Sequence, residues 1–422
     1  MRNVNRQWRT LACSGILALG ILPGSLTAAE APKKPEAGAR NPAAATNKLK
    51  EGDFVAILGG SATAAKVYSV QLETYLVACR PAPGLRTMLF GSSSFGGSED
   101  LQSACSSTTG PLPFQPTVAT MYYIPPAGSP VPKEYQEQTK QIMDRCKAAG
   151  ARFVAVAPGP VSPELQKAAK EAAAREGGVF ADFAGVMTEV NTKARAKYGA
   201  DYDVSAGQRA AGGLVITYAF LKALGCDGRI GTVTMDLAAG NATATAGHKV
   251  LSARDGEVEI ESTRYPFCFT GDPKSPDATA GVIEFFPFNQ DLNRFLLVVK
   301  GAKAARLKVT WGRESREFAA AALAKGINLA AEFPDNPFQE PLQKVMDKVR
   351  DKQLYESQLF EFIGNTNGTP RASTANAAPD AARNWEAMVA LGVKCVKDRQ
   401  DEVAEAVVPV KHVIKVEPLA AK

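Results

Sequence analysis

The chain has 422 residues, of which 45% are hydrophobic and 22% charged, and its formal net charge at pH 7 is +6. The first 29 residues hold three arginines and no acidic residue, so their removal would lower this charge to about +3. So small a net charge does not indicate binding to nucleic acid or to anionic lipid. The chain has two histidines, His248 and His412, so histidine-dependent chemistry has few candidates.

The N-terminal segment has the pattern of a secretory signal peptide. Three arginines precede a mostly apolar run from Leu11 to Leu26, and small residues follow it. The run is too short for a permanent membrane anchor, and no later stretch is apolar enough to cross a bilayer. We therefore predict a signal peptide over residues 1–29 and a secreted or periplasmic protein that does not span a membrane.

The sequence indicates no cofactor and no metal site. Six of the seven cysteines would remain after signal cleavage, and their pairing in an oxidising compartment is left open. None has the spacing of a metal-binding motif. Residues 59–63 lack the Gly-Lys-Thr ending of a phosphate-binding loop.

After a linker at residues 30–47, strands and helices alternate through residues 48–228. Short apolar runs predict strands at residues 54–58, 87–90, 117–123, 153–157 and 179–183. Helical spacing predicts helices at residues 62–79, 134–149, 165–175 and 214–224. This alternation is typical of a three-layer α/β domain with a parallel sheet.

From residue 229 the pattern changes to short strands, and a mainly β domain is predicted up to residue 333. Asp255-Gly256 is a good two-residue hairpin turn, and Val282–Phe286 is one of the predicted strands. Helical spacing on both sides of a Gly-, Pro- and Thr-rich loop predicts a helical hairpin over residues 334–406. Residues 407–422 should then form a final strand that rejoins the β domain.

A serine stands at the first predicted strand-to-helix turn. In Gly59-Gly60-Ser61-Ala62-Thr63 two glycines permit a sharp bend, and the following helix N-terminus favours developing negative charge. Taken alone, a helix-capping serine in a tight turn is the more common explanation. Tyr122-Tyr123 suggests an aromatic binding ledge, although a plain strand end is favoured there.

In context, this turn resembles block I of the SGNH (GDSL-type) esterases, in which Gly-Asp-Ser-Ile-Thr is usual. Phe90-Gly91 followed by Gly96-Gly97 resembles block II, which contributes to the oxyanion region. Residues 215–228 resemble the helix after block V, and residues 265–269, 288–295, 326–330 and 408–412 are similar to large exported bacterial members. The resemblance covers nearly all of the chain after residue 47. It implies a flavodoxin-like SGNH-hydrolase domain followed by a mainly β domain and a helical hairpin.

The departures from the family pattern all lie at the positions of the catalytic residues. Such esterases use a serine, a histidine base and an aspartate that orients the histidine. Here Ala206 stands at the histidine's place in a shortened loop, and Pro126, which offers no hydrogen-bond donor at all, replaces the asparagine whose amide would donate to the oxyanion. Gly60 replaces the block I aspartate. Because the histidine base and the oxyanion asparagine are both missing, we interpret Ser61 as a vestigial nucleophile. Asp203 or Glu189 could in principle act as a base, but their spacing does not favour either.

Three hypotheses follow from these residues. The favoured one is a catalytically inactive SGNH-like protein of the cell envelope whose former active-site cleft binds an ester or glycan ligand. The alternative is a carbohydrate- or lipid-ester hydrolase that uses Ser61 with a non-standard base. The third is a purely structural exported protein.

Overall fold

Five strands form a parallel sheet near the start of the computed structural model, which describes residues 48–91, 115–122, 132–148, 150–156, 162–205, 209–364 and 379–419. The strands are β1 (Phe54–Gly59), β2 (Arg86–Gly91), β3 (Val118–Tyr122), β4 (Arg152–Val156) and β5 (Val179–Ala181). Their order in the sheet is β2-β1-β3-β4-β5. Since β1 pairs with β2 on one side and β3 on the other, the direction of winding reverses between β1 and β3.

Helices cover both faces of this sheet. They are α1 (Ser61–Ala64), α2 (Tyr68–Thr74), α3 (Pro132–Ala148), α4 (Pro163–Arg175), α5 (Phe183–Tyr198) and α6 (Ala210–Ala223), and α2 continues into a π-helical turn at Tyr75–Cys79. Along β1, Val55 and Ile57 enter one buried cluster, whereas Ala56 and Leu58 enter another on the opposite face. A parallel sheet buried on both faces needs apolar residues at successive positions, which is why these strands read as continuous apolar runs. The predicted three-layer α/β fold is confirmed.

The predicted strand 179–183 is too long, and the helix that follows it was not predicted. β5 ends at Ala181, and α5 begins at Phe183. The Asp182 side chain caps α5 by accepting a hydrogen bond from the Gly185 backbone N–H at 2.8 Å. An aspartate at this position satisfies a donor that the first turn leaves free, so the chain changes to helix there.

Two further sheets make up the β part. Their strands are β6 (Arg229–Asp236), β7 (Asn241–Ala244), β8 (His248–Arg254), β9 (Glu257–Ser262), β10 (Arg294–Lys300), β11 (Arg306–Trp311), β12 (Glu314–Ala319), β13 (Ile327–Asn328) and β14 (Val410–Pro418). One sheet has the order β13-β10-β6-β7 and the other β12-β11-β14-β9-β8. The last strand, β14, lies between β9 and β11 and is antiparallel to both. The core on one face of the parallel sheet continues into these sheets, and the described residues form one compact unit.

The predicted strand at Val282–Phe286 is wrong. The segment is the end of the short helix α7 (Thr279–Val282) and a 3-10 turn at Ile283–Phe285, followed by α8 (Phe288–Leu292). Val282, Phe285 and Phe286 are buried, and Phe286 packs edge-to-face on Tyr218 with ring centroids 5.3 Å apart. A short apolar run buried on several sides has the same composition as a core strand, so its period could not distinguish the two.

Two long helices pack together and against the α/β part. After the short helices α9 (Ala320–Lys325) and α10 (Leu329–Glu332), they are α11 (Gln339–Gly364) and α12 (Pro379–Glu405). Within the described ranges, no helix is both long and apolar enough to span a membrane.

A buried ionic cluster joins α11 to α2. The Lys352 ammonium lies 2.8 Å from a carboxylate oxygen of Glu73 and 2.8 Å from one of Glu356, and all three side chains are at most 1% exposed. The contact with Glu356 lacks the alignment of a hydrogen bond, but the other Glu356 oxygen accepts from the Leu89 N–H at 3.0 Å. Burial, opposed by the Lys352 charge, raises the pKa of Glu356 to about 7. Two carboxylates thus share one ammonium away from water.

Candidate functional site

Ser61 begins α1 directly after β1, at the carboxyl end of the parallel sheet. The Gly60 carbonyl accepts from the Thr63 and Ala64 N–H groups at 2.9 Å, which closes the first turn around Ser61. In sheets with this strand order, ligands bind outside the carboxyl ends of the strands where the winding reverses. Here that point lies between Gly59 of β1 and Tyr122 of β3, beside Ser61.

Two glycines let the sheet and α1 approach each other closely. A Cβ atom on Gly59 would lie 2.1 Å from the Thr63 hydroxyl oxygen and 2.3 Å from the Tyr122 carbonyl oxygen. A Cβ atom on Gly91, at the end of β2, would lie 2.8 Å from the Ala64 nitrogen. Only glycine fits at either place, so this tight turn requires glycine at both positions for steric reasons.

A cavity of about 260 Å³ opens beside Ser61. Its described lining residues come from α1, the start of α2 and the residue before it, β3, the start of α5, the segment before α6 and α6 itself: Ser61, Ala62, Val67, Tyr68, Tyr122, Phe183, Ser205, Arg209, Gly212, Gly213 and Ile216. We call it the Ser61 pocket. No aspartate, glutamate or histidine is among these lining residues, and Arg209 is the one charged residue among them.

Three aromatic rings form one wall of the Ser61 pocket. Tyr122 packs edge-to-face on Tyr68 and on Phe183, with centroid distances of 5.6 and 5.8 Å. The Tyr68 hydroxyl shares a 2.7 Å hydrogen bond with the Thr63 hydroxyl. Burial raises the pKa of both phenols, Tyr68 and Tyr122, well above the ordinary tyrosine value, so both stay neutral.

The hydroxyls at the pocket differ in their hydrogen bonding. Ser61 is exposed, and no described residue makes a hydrogen bond with its side chain. Tyr122 is 4% exposed, and its hydroxyl likewise has no hydrogen-bond partner among the described residues. Ser205 donates to Asp203 at 2.8 Å.

The two carboxylates considered as alternative bases are poorly suited to the task. One Asp203 oxygen accepts from the Ser205 N–H, the Ser205 hydroxyl and the Asn191 amide. Although burial opposes them, these hydrogen bonds lower the pKa of Asp203 below its ordinary value and weaken it as a base. Glu189 lies on the surface of α5, paired with Lys193, and is not among the lining residues.

Both histidines are buried in the β part and hydrogen-bonded at both ring nitrogens. The Trp311 indole N–H donates to His412 Nδ1 at 3.1 Å, so the proton of neutral His412 is on Nε2, which donates to Ser262 Oγ at 2.9 Å. The Ser262 hydroxyl then donates to His248 Nδ1 at 2.8 Å, and His248 Nε2–H donates to the Ile230 carbonyl at 3.1 Å. Since these are the only histidines in the chain, none remains to serve Ser61.

Most of the predicted site residues lie outside the described residues. Gly96, Gly97, Pro126 and Ala206 are in this group, so their predicted roles stay predictions. Ser61 lies at the expected turn, and its role as a vestigial nucleophile is not tested by its position. The sequence did not indicate Tyr68, Ser205 or Arg209 as pocket residues. A plain strand end was favoured at Tyr122, which lines the pocket.

Comparison with solved structures identifies the fold. A gut microbial diltiazem-metabolizing enzyme aligns with a TM-score of 0.63 and 20% identity, covering 88% of this chain and 98% of that one. The chain has an SGNH/GDSL-like fold. A protein described as a GDSL-like lipase from Parabacteroides merdae aligns at a TM-score of 0.35 and 15% identity, over 42% of this chain and 98% of its own. One described as an SGNH hydrolase from Slackia heliotrinireducens aligns at 0.31 and 18%, over 41% and 100%.

The likeness to the diltiazem-metabolizing enzyme confirms the predicted fold and does not extend to an activity. No family model matches the chain, and no curated protein matches it in sequence. Within the part of the chain that the structure describes, no group of three or more histidine, cysteine, aspartate or glutamate residues is placed to hold a metal ion.

A larger cavity of about 650 Å³ lies elsewhere, along the β5 edge of the sheet. Its polar lining includes Lys48, Asp182, Tyr218 and Lys222. Tyr218 and Lys222 both donate to Asp291, at 2.6 and 2.7 Å, so their hydrogen bonds hold α6 against α8. The Ser61 pocket is the better candidate because it lies where the winding of the sheet reverses.

Proposed function

We propose that this SGNH-like protein binds a ligand in the Ser61 pocket without hydrolysing it. The observation that carries the proposal is that both histidines of the chain are buried in the β sheets with both ring nitrogens hydrogen-bonded. A serine hydroxyl is too weak a nucleophile to attack an ester unless a base removes its proton. Loss of a general base typically costs a factor of about 10² to 10⁴ in rate.

The proposed ligand is an ester or a glycan, and the proposed place of action is the cell envelope. The pocket volume of about 260 Å³ is near the lower end of the range for small-molecule sites, about 300 to 1,000 Å³. It therefore suits one acyl group or one sugar ring. Export rests on the signal-peptide pattern of residues 1–29. Cell fractionation and N-terminal sequencing of the protein would test it, with cleavage expected close to residue 29.

A serine-directed fluorophosphonate probe tests the absence of catalysis. Wild-type protein and Ser61→Ala should both remain unlabelled under conditions that label a known serine esterase to completion. Stoichiometric labelling of the wild type that disappears in Ser61→Ala would show that Ser61 is activated, and the proposal would then be abandoned. A glycan array and a panel of non-hydrolysable esters would separate ligand binding from a purely structural role.

One observation favours the alternative, a serine ester hydrolase. The Ser61 hydroxyl is exposed at the carboxyl end of β1 and free of hydrogen bonds from the described residues, as a nucleophile would need to be. This hypothesis needs a base other than histidine. It predicts Ser61-dependent turnover of an acetyl ester with a pH profile set by a carboxylate, and so rising at acidic pH.

A further inference from the structure

The Ser61 pocket is apolar over most of its wall and polar at one side. Val67, Tyr68, Tyr122, Phe183 and Ile216 provide carbon surface. The polar side carries Arg209 and the hydroxyls of Ser61 and Ser205. Because the charged and apolar parts are separated, the pocket fits a ligand with a small apolar body and one polar end.

The polar side is electropositive. Arg209 immediately precedes α6, and Gly212 and Gly213 of the first turn line the pocket. This turn contains no acidic residue, so the partial positive charge of the helix N-terminus is not offset from within α6. No acidic side chain is among the described lining residues either.

Arg209 keeps donors available for a ligand. One terminal nitrogen of its guanidinium pairs with Asp277 at 2.8 Å, and both side chains are partly exposed. A guanidinium has five N–H donors in a fixed fork, and the other Arg209 donors have no acceptor among the described residues. Asp277 therefore orients the group without saturating it, and it offsets part of the positive charge.

Tyr122 is an independent sign that a polar ligand atom belongs here. Its side chain is 4% exposed and lines the pocket, yet its hydroxyl has no hydrogen-bond partner among the described residues. The hydroxyl is not among the fully buried polar atoms that lack a partner, so it is accessible from the pocket and open to a ligand atom. Since burial keeps this phenol protonated, it can donate to an anionic oxygen.

We propose that the Ser61 pocket binds a monocarboxylate with a small apolar body, whose carboxylate is held by Arg209, the N-terminus of α6 and the hydroxyls of Tyr122 and Ser61. A monoanion matches one arginine whose charge Asp277 already reduces, whereas a phosphate dianion would lack compensating charge. The volume admits a benzoate-sized ligand. This inference rests on the proposed binding of a ligand in the Ser61 pocket, and it takes that ligand to be a free carboxylate, the acid part of an ester, in place of an intact ester or a glycan.

Calorimetric titration with benzoate and with its neutral isostere benzamide tests the proposal. The purified wild type should bind benzoate about tenfold or more tightly than benzamide, because charge-assisted hydrogen bonds are about twice as strong as neutral ones. In Arg209→Gln this preference should disappear. Asp277→Asn is the matched control: it removes the same ion pair but leaves the arginine, so the preference should persist or grow. Tyr122→Phe, which removes only the hydroxyl, should lower the affinity for benzoate by a few-fold.

Four outcomes overturn the proposal: no benzoate binding at millimolar concentration, equal binding of benzamide, an unchanged preference in Arg209→Gln, or tighter binding of inorganic phosphate. The same experiments distinguish a failure of this carboxylate proposal from a failure of the proposed non-catalytic function. Ser61-dependent ester turnover together with benzoate selectivity would leave the carboxylate site intact and make it a product site. Absence of turnover without benzoate selectivity would leave a binding pocket for a neutral ligand.

Discussion

Ser61 and Ser262 are two serines in opposite settings. Ser262 is fully buried, and its hydroxyl lies between the rings of His248 and His412 in a chain of hydrogen bonds that ends at a carbonyl and an indole. Ser61 is exposed beside a pocket that has no histidine. The residues of a serine-histidine site are thus present in the chain, but the fold uses its histidines to complete the β-sheet core.

Several polar groups in the interior have partners within the protein, whereas two hydroxyls at the Ser61 pocket have none among the described residues. In the interior, Lys352 pairs with Glu73 and Glu356, and the histidine rings share their protons with fixed partners. At the pocket, the hydroxyls of Ser61 and Tyr122 have no partner among the described residues. Interior polar groups whose bonds are already made stabilise the fold, and those left without partners at a cavity are available to a ligand.

The largest expected change in the free energy of unfolding comes from removing the ammonium of the buried ionic cluster. Lys352→Met leaves two buried carboxylates without their cation and should lower the free energy of unfolding by about 3 to 5 kcal/mol. Lys348→Met is the control, because Lys348 is half exposed and its pair with Glu402, at 3.7 Å, should contribute less than about 1 kcal/mol. Chemical denaturation measures both. Equal losses in the two variants would contradict the account.

Replacing each serine by alanine tests the contrast directly. Ser262→Ala leaves a donor of His412 and an acceptor of His248 without partners in the core, which should cost about 2 to 4 kcal/mol. Ser61→Ala should change the free energy of unfolding by less than about 0.5 kcal/mol, since Ser61 is exposed. Thermal and urea unfolding report the difference. A stability loss at Ser61 as large as at Ser262 would mean that Ser61 has a structural partner.

The buried histidines should resist protonation. Burial lowers the pKa of His412 to about 3 and also lowers that of His248. In the unfolded chain both histidines take up a proton near pH 6.5. Their contribution to the free energy of unfolding is therefore fully present above that pH and falls as the pH drops towards 3. The loss due to His412 should be about 2 kcal/mol by pH 5. With two histidines in the chain, NMR titration can follow each ring, and a midpoint near 6.5 in the folded protein would show that the ring is solvated.

Glu356 should make the stability of the folded protein depend on pH in the opposite direction to the histidines. Its pKa is raised in the folded state to about 7, so its contribution to stability is present below about pH 4.5 and lost as pH rises through 7. Glu356→Gln keeps the neutral form at every pH and should stabilise the protein by about 2 to 3 kcal/mol more at pH 8 than at pH 5. Unfolding curves at the two pH values measure this. A variant with the same pH slope as the wild type would assign the slope to other groups.

The fold could be predicted further than the site because the two depend on different information. Continuous apolar runs such as Phe54–Leu58 mark buried parallel strands, and their alternation with helices indicates the layers. The pattern failed at Val282–Phe286, where a short buried apolar run has no diagnostic period. It also missed α5, since the capping role of Asp182 depends on where β5 ends.

At the site, the Gly59-Gly60-Ser61 turn was recognisable because its residues are adjacent in the chain. Tyr68, Tyr122 and Arg209 are far apart in sequence and meet only because of the strand order and the packing of α6 on α2. No local pattern marks such a group. The scarcity of histidine did indicate a missing base, and the structure adds that both histidines already have partners in the core.

Steady-state turnover of an acetyl ester by the wild type and by Ser61→Ala tests the central claim most directly. We expect both proteins to hydrolyse the ester at the same rate between pH 5 and 9, and that rate should equal the rate of the uncatalysed reaction. A wild-type rate about a hundredfold or more above that of Ser61→Ala would contradict it, because a difference of that size requires a base acting on Ser61.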